Sequence, residues 1–175
     1  LVLENAVKES ITISTQSIMN ELKAYEDKPE DSIIEYIWNG FDANATRVDI
    51  NYEFARSIDG TSFSLPNVEV KDNGYGWDLS DTSTIKVFLE SHKKKIKKLY
   101  KSMPHGSKGV GRFTFFSFAS SATWLTTFEG TQYKLELEKT DLNNYALAKE
   151  STTSSAGIVG TSVSFEVTSN KLHEG

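Results

Sequence analysis

The sequence predicts an α+β fold: a two-layer sandwich with helices on one face of a mixed, mainly antiparallel sheet. Three observations predict it. Apolar residues recur at helical spacing through residues 17–44, and period-two alternation follows at 47–54 and again in several segments after 121. Between these groups stands one dense apolar and aromatic stretch, 112–120. The order is helices, strands, a loop, a helix and then consecutive strands. A length of 175 residues, 38% hydrophobic and 25% charged, suits one soluble domain with a core of its own, and residues 1–175 are taken as that domain.

Each element has its own signal. Ile11-Thr12-Ile13-Ser14 alternates as a short strand, and Ile18, Leu22 and Tyr25 fall at helical spacing. Asp27-Lys28-Pro29-Glu30 reads as a helix start, with Asp as cap, Pro in the first turn and Glu reaching back. That helix is expected to run to about Asn44, with Ile33, Ile34, Ile37, Trp38 and Phe41 as its apolar stripe. Strands are expected from Arg47 to Phe54 and from Asn67 to Lys71, with Asp59-Gly60 at a turn between them. Arg112 to Ser120 is a buried helix candidate. Ala122–Phe128 and Gln132–Glu138, broken at Glu129-Gly130, form a hairpin, and Tyr145–Glu150 and Thr161–Thr168 add two strands.

Composition excludes several classes. With no cysteine, disulfides and cysteine zinc sites are ruled out. No apolar run approaches membrane-spanning length, and the start lacks a basic region before an apolar core, so a cytoplasmic protein is expected, with no membrane partner. The chain begins with Leu1 and is expected to be a piece of a longer protein. Its net charge of −5 is unevenly spread: residues 86–112 hold nine of the nineteen Lys and Arg and one acid, a balance of +8, leaving −13 elsewhere. A globally basic surface for bulk nucleic acid is absent; the positive charge gathers beside a glycine-rich loop, where a polyphosphate is welcome.

Four short motifs carry the chemistry. Glu35 and Asn39 lie four residues apart on one helix face, with Asp42 three further along. An amide oxygen is a hard ligand suited to Mg²⁺, and a carboxylate one turn away can polarise a water for attack on a phosphoryl group. Taken alone, Ser32 and Glu35 also fit a capping box. Asp72-Asn73-Gly74-Tyr75-Gly76 ends a strand; alone it reads as a turn, while Asp72 can accept from an exocyclic amine and the glycines allow close approach to a ring. Gly106-Ser107-Lys108-Gly109-Val110-Gly111 precedes an apolar segment and can wrap phosphates with its N–H groups, Lys108 adding charge. It lacks the Gly-Lys-Ser/Thr ending of a P-loop. Gly160-Thr161 opens the last strand, which ordinary loop-to-strand chemistry also explains; a buried Thr161 hydroxyl can assist base recognition. His92, His105 and His173 have no metal-ligand spacing.

In order and spacing these motifs resemble the GHKL superfamily of gyrase, the ninety-kilodalton heat-shock chaperones, sensor histidine kinases and MutL-type repair proteins. Their ATP-binding domain is called the Bergerat fold. The first box, Glu-x-x-x-Asn-x-x-Asp-Ala, matches Glu35, Asn39, Asp42 and Ala43; the second matches Asp72, Gly74 and Gly76; the third matches Gly106, Gly109 and Gly111; the fourth matches Gly160 and Thr161. The resemblance implies ATP and Mg²⁺ as ligands. It implies Asn39 on the metal and Glu35 as general base. It implies Asp72 on the adenine amine with Thr161 supporting it through a water. It also implies residues 106–111 around the phosphates and a lid over about 77–105.

Glu35 favours the hydrolysing branches, and Lys-Gly-Val-Gly-Arg-Phe looks most like prokaryotic chaperone-like ATPases. The lysines at 93–101 read as a solvated face or, on the lid, as a contact for a partner or nucleic acid. Trp77 departs from the Met of many relatives. Gyrase and MutL draw a lysine from a following domain, so downstream domains and an ATP-dependent homodimer are the expected partners, and this chain alone should bind ATP but turn it over slowly or not at all. The alternatives are an ATP-sensing module without hydrolysis and phosphotransfer to a protein histidine.

Overall fold

In the computed structural model, residues 7–10, 22–25, 28–60, 63–81, 111–141, 144–151 and 159–168 are described. They form one sheet with a helical layer on one face. The strands are β1 (Val7–Ser10), β2 (Val48–Arg56), β3 (Phe63–Asp72), β4 (Ala119–Phe128), β5 (Thr131–Glu138), β6 (Asn144–Ser151) and β7 (Gly160–Val167). Their order across the sheet is β1-β6-β5-β4-β7-β3-β2. Every pairing among the described residues is antiparallel, so no parallel pair of the expected mixture is seen there. The last described strand, β7, is inserted between β3 and β4, and this brings the fourth motif beside the second.

The helical layer holds α1 (Pro29–Asp42), a 3-10 turn at Lys23–Tyr25 and a 3-10 helix at Gly111–Ser117. α1 starts at Pro29, with Lys28 as its N-cap and no side-chain capping bond; Asp27 lies outside the described residues. It ends in a Schellman arrangement: Asn44, at φ 61°, donates to the Phe41 carbonyl at 2.9 Å, and Ala45 donates to Gly40 at 3.1 Å. The expected helix at 112–120 is instead the short 3-10 helix, after which the chain enters β4 at Ala119. β1 precedes the strand expected at 11–14, which lies outside the described residues.

The core lies between sheet and helices. Inward residues of β4 and β5, among them Ala122, Trp124, Leu135 and Leu137, meet Phe113, Phe115 and Phe116 of the 3-10 helix and Phe165 of β7. Aromatic rings pack edge-on, as for Phe115 and Trp124 at 6.2 Å and Phe118 and Phe165 at 5.1 Å. The expected stripe of α1 is corrected. Ile33 is buried and Ile37 partly so, but Ile34, Trp38 and Phe41 are exposed, and the inward face also carries Ser32, Tyr36 and Gly40. Small residues let α1 sit close on the sheet, which is why the most apolar side of the helix is not the one it buries.

Ser32 therefore caps nothing. Its hydroxyl shares a 2.7 Å hydrogen bond with Ser117, and its carbonyl accepts from Thr114 at 3.3 Å. Tyr36, fully buried, donates to the Arg112 carbonyl at 2.8 Å and accepts from the Phe115 N–H at 3.4 Å. Burial raises its phenol well above the ordinary value, so it stays a donor. These bonds tie α1 to the segment that follows the third motif. Glu129 and Gly130 both have positive φ (46° and 75°), giving the two-residue turn the β4–β5 hairpin needs.

Candidate functional site

Gly106, Ser107, Lys108, Gly109, Val110, most of the expected lid and the lysine cluster lie outside the described residues. The first, second and fourth motifs and Gly111 are described, and they come together at one end of the sheet beside α1.

α1 presents Glu35, Asn39 and Asp42 along one side, Glu35 half-buried and the other two exposed. The Glu35 carboxylate is held at one oxygen. Tyr25 donates to Oε1 at 3.1 Å, and Oε2 faces Gly111, 3.0 Å from where a Cβ on that glycine would stand. Burial and the nearby carboxylate both raise the Tyr25 phenol, which keeps its proton for this bond. The first motif thus touches the last glycine of the third.

Asp72 is the last residue of β3. Its side chain lies against Gly40, the residue after Asn39: a Cβ on Gly40 would be 2.9 Å from Asp72 Cβ and 2.9 Å from Val48 Cγ2. Asn39 and Asp72 therefore belong to one corner of the molecule. Asp72 Oδ1 accepts from Gly74 N–H at 2.8 Å and from Thr161 N–H at 3.3 Å, leaving Oδ2 outside these two bonds. Burial raises the carboxyl's pKa, and the two N–H groups pull it partly back.

The fold itself requires glycine at three positions of these motifs. A Cβ on Gly74 would come within 2.5 Å of the Ala43 carbonyl oxygen. At Gly76 (φ 77°) it would come within 2.0 Å of the Thr127 carbonyl oxygen, and at Gly160 (φ 107°) within 2.1 Å of the Asp72 carbonyl oxygen. The space their missing side chains leave is filled by protein backbone. Two of these glycines let one motif close on another: Gly74 on the end of the first box, where Tyr75 N–H also bonds Ala43 O at 3.1 Å, and Gly160 on the second, while Gly76 closes on β4. Asn73 fastens the same loop to the α1–β2 connection by accepting from Thr46 and Arg47 N–H, both at 2.9 Å.

Three residues not singled out in the sequence complete the corner. Tyr25 holds Glu35. Thr126, on β4, accepts from Trp77 N–H at 2.8 Å and lies 3.0 Å from the Thr161 hydroxyl. Arg112 follows Gly111, its guanidinium 5.3 Å from the Phe113 ring centre, and burial pulls its pKa down to about 9. Among them only Thr126 carried a readable signal: a polar residue in the inward register of β4 after Ala122 and Trp124.

The groove of about 340 Å³ between α1 and β2, lined by Ile34, Ile37, Tyr52 and Phe54 among others, includes none of Glu35, Asn39 and Asp72. No helix among the described residues is long and apolar enough to cross a membrane.

Comparison with curated proteins finds no match. Residues 25–170, which hold all four motifs, match the family model described as histidine kinase-, DNA gyrase B-, and HSP90-like ATPase. The antiparallel sheet under a helical layer, the first, second and fourth motifs and Gly111 meeting at one corner, and this match over most of the chain agree, and the chain belongs to that GHKL family, as one of its ATP-binding domains.

Proposed function

We propose that this domain hydrolyses ATP with Mg²⁺, and that nucleotide-dependent closure of a lid over about 77–105 drives rearrangement of a larger protein. The observation that carries the reading is the Glu35 carboxylate, pinned by Tyr25 at one oxygen and turned to Gly111 with the other. A carboxylate beside the last glycine of the third motif supports the reading of Glu35 as the group that takes a proton from water.

The donor set fits magnesium. Asn39 offers one amide oxygen from the exposed side of α1, and no cluster of three acidic or imidazole side chains among the described residues forms a dedicated cage. An ion that keeps waters and takes phosphate oxygens needs no more from the protein. When bound, Mg²⁺ would neutralise charge on the phosphates.

The chain's own residues do the rest. Asp72 accepts from the adenine amine and Thr161 supports the base. Residues 106–111 wrap the phosphates, and Asp42 completes the polar side of α1. Glu35 removes a proton as the water oxygen bonds to the terminal phosphorus and the bond to the ADP oxygen breaks. Downstream domains and a second copy are the partners through which such a cycle would act.

Phosphate release by the wild type and by Glu35→Ala, with calorimetric titration of a non-hydrolysable ATP analogue and Mg²⁺, tests this. Loss of release with retained binding is expected for Glu35→Ala, and loss of binding for Asp72→Ala. An unchanged rate in Glu35→Ala would overturn the assignment of the base. Binding without release in the wild-type, full-length protein would make the domain an ATP sensor.

A further inference from the structure

We infer that Thr126 is a specificity-determining residue of this site: it fixes the direction of the Thr161 hydroxyl hydrogen, and with it the reading of the purine edge. The inference rests on the ATP-site reading above.

Thr126 is 1% exposed, and its hydroxyl has three neighbours. Trp77 N–H, 2.8 Å away, can only donate, so it occupies one lone pair. The single hydroxyl hydrogen then has two acceptors to choose between: Thr161 Oγ1 at 3.0 Å and the Gly160 carbonyl at 3.4 Å. A hydroxyl donor prefers separations below about 3.0 Å and weakens beyond, so Thr161 is the better acceptor. Thr161 Oγ1 then receives a hydrogen from Thr126 and directs its own away from it, into the corner shared with Asp72.

Asp72 has no hydrogen to give when ionised, and its Oδ1 is taken up by the N–H groups of Gly74 and Thr161. The corner therefore offers a carboxylate acceptor beside a hydroxyl donor. A 6-aminopurine presents the complement, a donor amine at C6 and an acceptor nitrogen at N1. A 6-oxopurine presents the reverse at both positions. One water between Thr161 and N1 would preserve the polarity, because it would accept from the hydroxyl and donate to the ring. Without the Thr126 hydroxyl, Thr161 is free to turn, and the preference for an acceptor at N1 is lost.

Calorimetric titration of the chain with ATP and with 1-deaza-ATP, which has carbon in place of N1, reads this directly. The wild type is expected to prefer ATP about tenfold, the worth of one hydrogen bond. In Thr126→Val the preference should fall to within about twofold, and Thr126→Ser should restore it, whatever either change does to the melting temperature. Should the valine variant fail to fold, Thr126→Cys, with its weakly donating thiol, replaces it with the same expected fall. A folded variant lacking the hydroxyl that keeps the wild-type preference would overturn the inference, and so would a wild type that binds both nucleotides equally. A wild type that binds neither would instead remove the ATP-site reading itself.

Discussion

Gly40 and Asp72 are in van der Waals contact across the junction of α1 and β3, with no room for a methyl group between them. The contact fixes how far the helix carrying Glu35 and Asn39 stands from the strand end carrying Asp72. Gly40→Ala would gain about 1 kcal/mol of helix propensity. It would also place a carbon 2.9 Å from both Asp72 Cβ and Val48 Cγ2. Overpacking of that kind costs about 1–3 kcal/mol, so a net loss of stability is expected. Urea unfolding would show a lower midpoint, and affinity for a non-hydrolysable ATP analogue would fall as α1 is pushed outward. A midpoint at or above wild type would show that the junction is softer than its geometry.

Tyr25→Phe removes the donor to Glu35 Oε1 and little else, because the phenol is partly exposed. The carboxylate then loses its orientation. Under the proposed mechanism the turnover number drops about tenfold, while analogue affinity stays within twofold of wild type. Equal losses in turnover and affinity would assign Tyr25 to packing alone.

Asp72 has a raised pKa in the folded chain, chiefly through burial. A carboxyl of this kind favours the folded state when protonated. Its contribution is therefore present below the ordinary aspartate pKa and lost as pH rises through the raised value. Asp72→Asn cannot ionise, and its Oδ1 can still accept from Gly74 and Thr161. The melting temperature of this variant relative to wild type should climb through that acidic window and then level off, even as nucleotide binding is lost. A difference that is constant at every pH would contradict the sign argued here.

Gly160→Ala should be the most damaging single substitution at the corner. Its φ of 107° is a conformation L side chains rarely adopt, and the new carbon would stand 2.1 Å from the Asp72 carbonyl oxygen. Backbone on both sides cannot step aside as a side-chain tip can, so a cost above about 3 kcal/mol is expected. Circular dichroism melting of the purified variant provides the measurement; a loss of only a few degrees would mean that β7 re-registers.

Much of the fold was legible because alternation and turn chemistry are local. Glu129-Gly130 marked the β4–β5 turn, and the strands after it fell within a few residues of their observed bounds. Contacts distant in sequence were not legible. Period alone cannot choose between two neighbouring stripes on α1 when the buried one contains Ser32 and Gly40 and the exposed one contains Trp38 and Phe41. Arg112 to Ser120 has a helix's apolarity, yet only seven residues from Gly111 form a 3-10 helix before the sheet claims the chain. The motifs themselves were visible by type and spacing. The bonds that orient them were not: Thr126 meets Trp77 across 49 residues and Thr161 across 35.

At Gly74, Gly76 and Gly160 a carbonyl of one segment rests on the α-carbon of another, with no flexible side chain as a spacer. Such a joint has no slack, and close-packed interiors resist graded deformation. The corner that holds Asp72 and Thr161 therefore works as a fixed anvil. Whatever shape change accompanies a nucleotide cycle has to be carried by other parts of the chain, with this floor as the stationary frame against which they move.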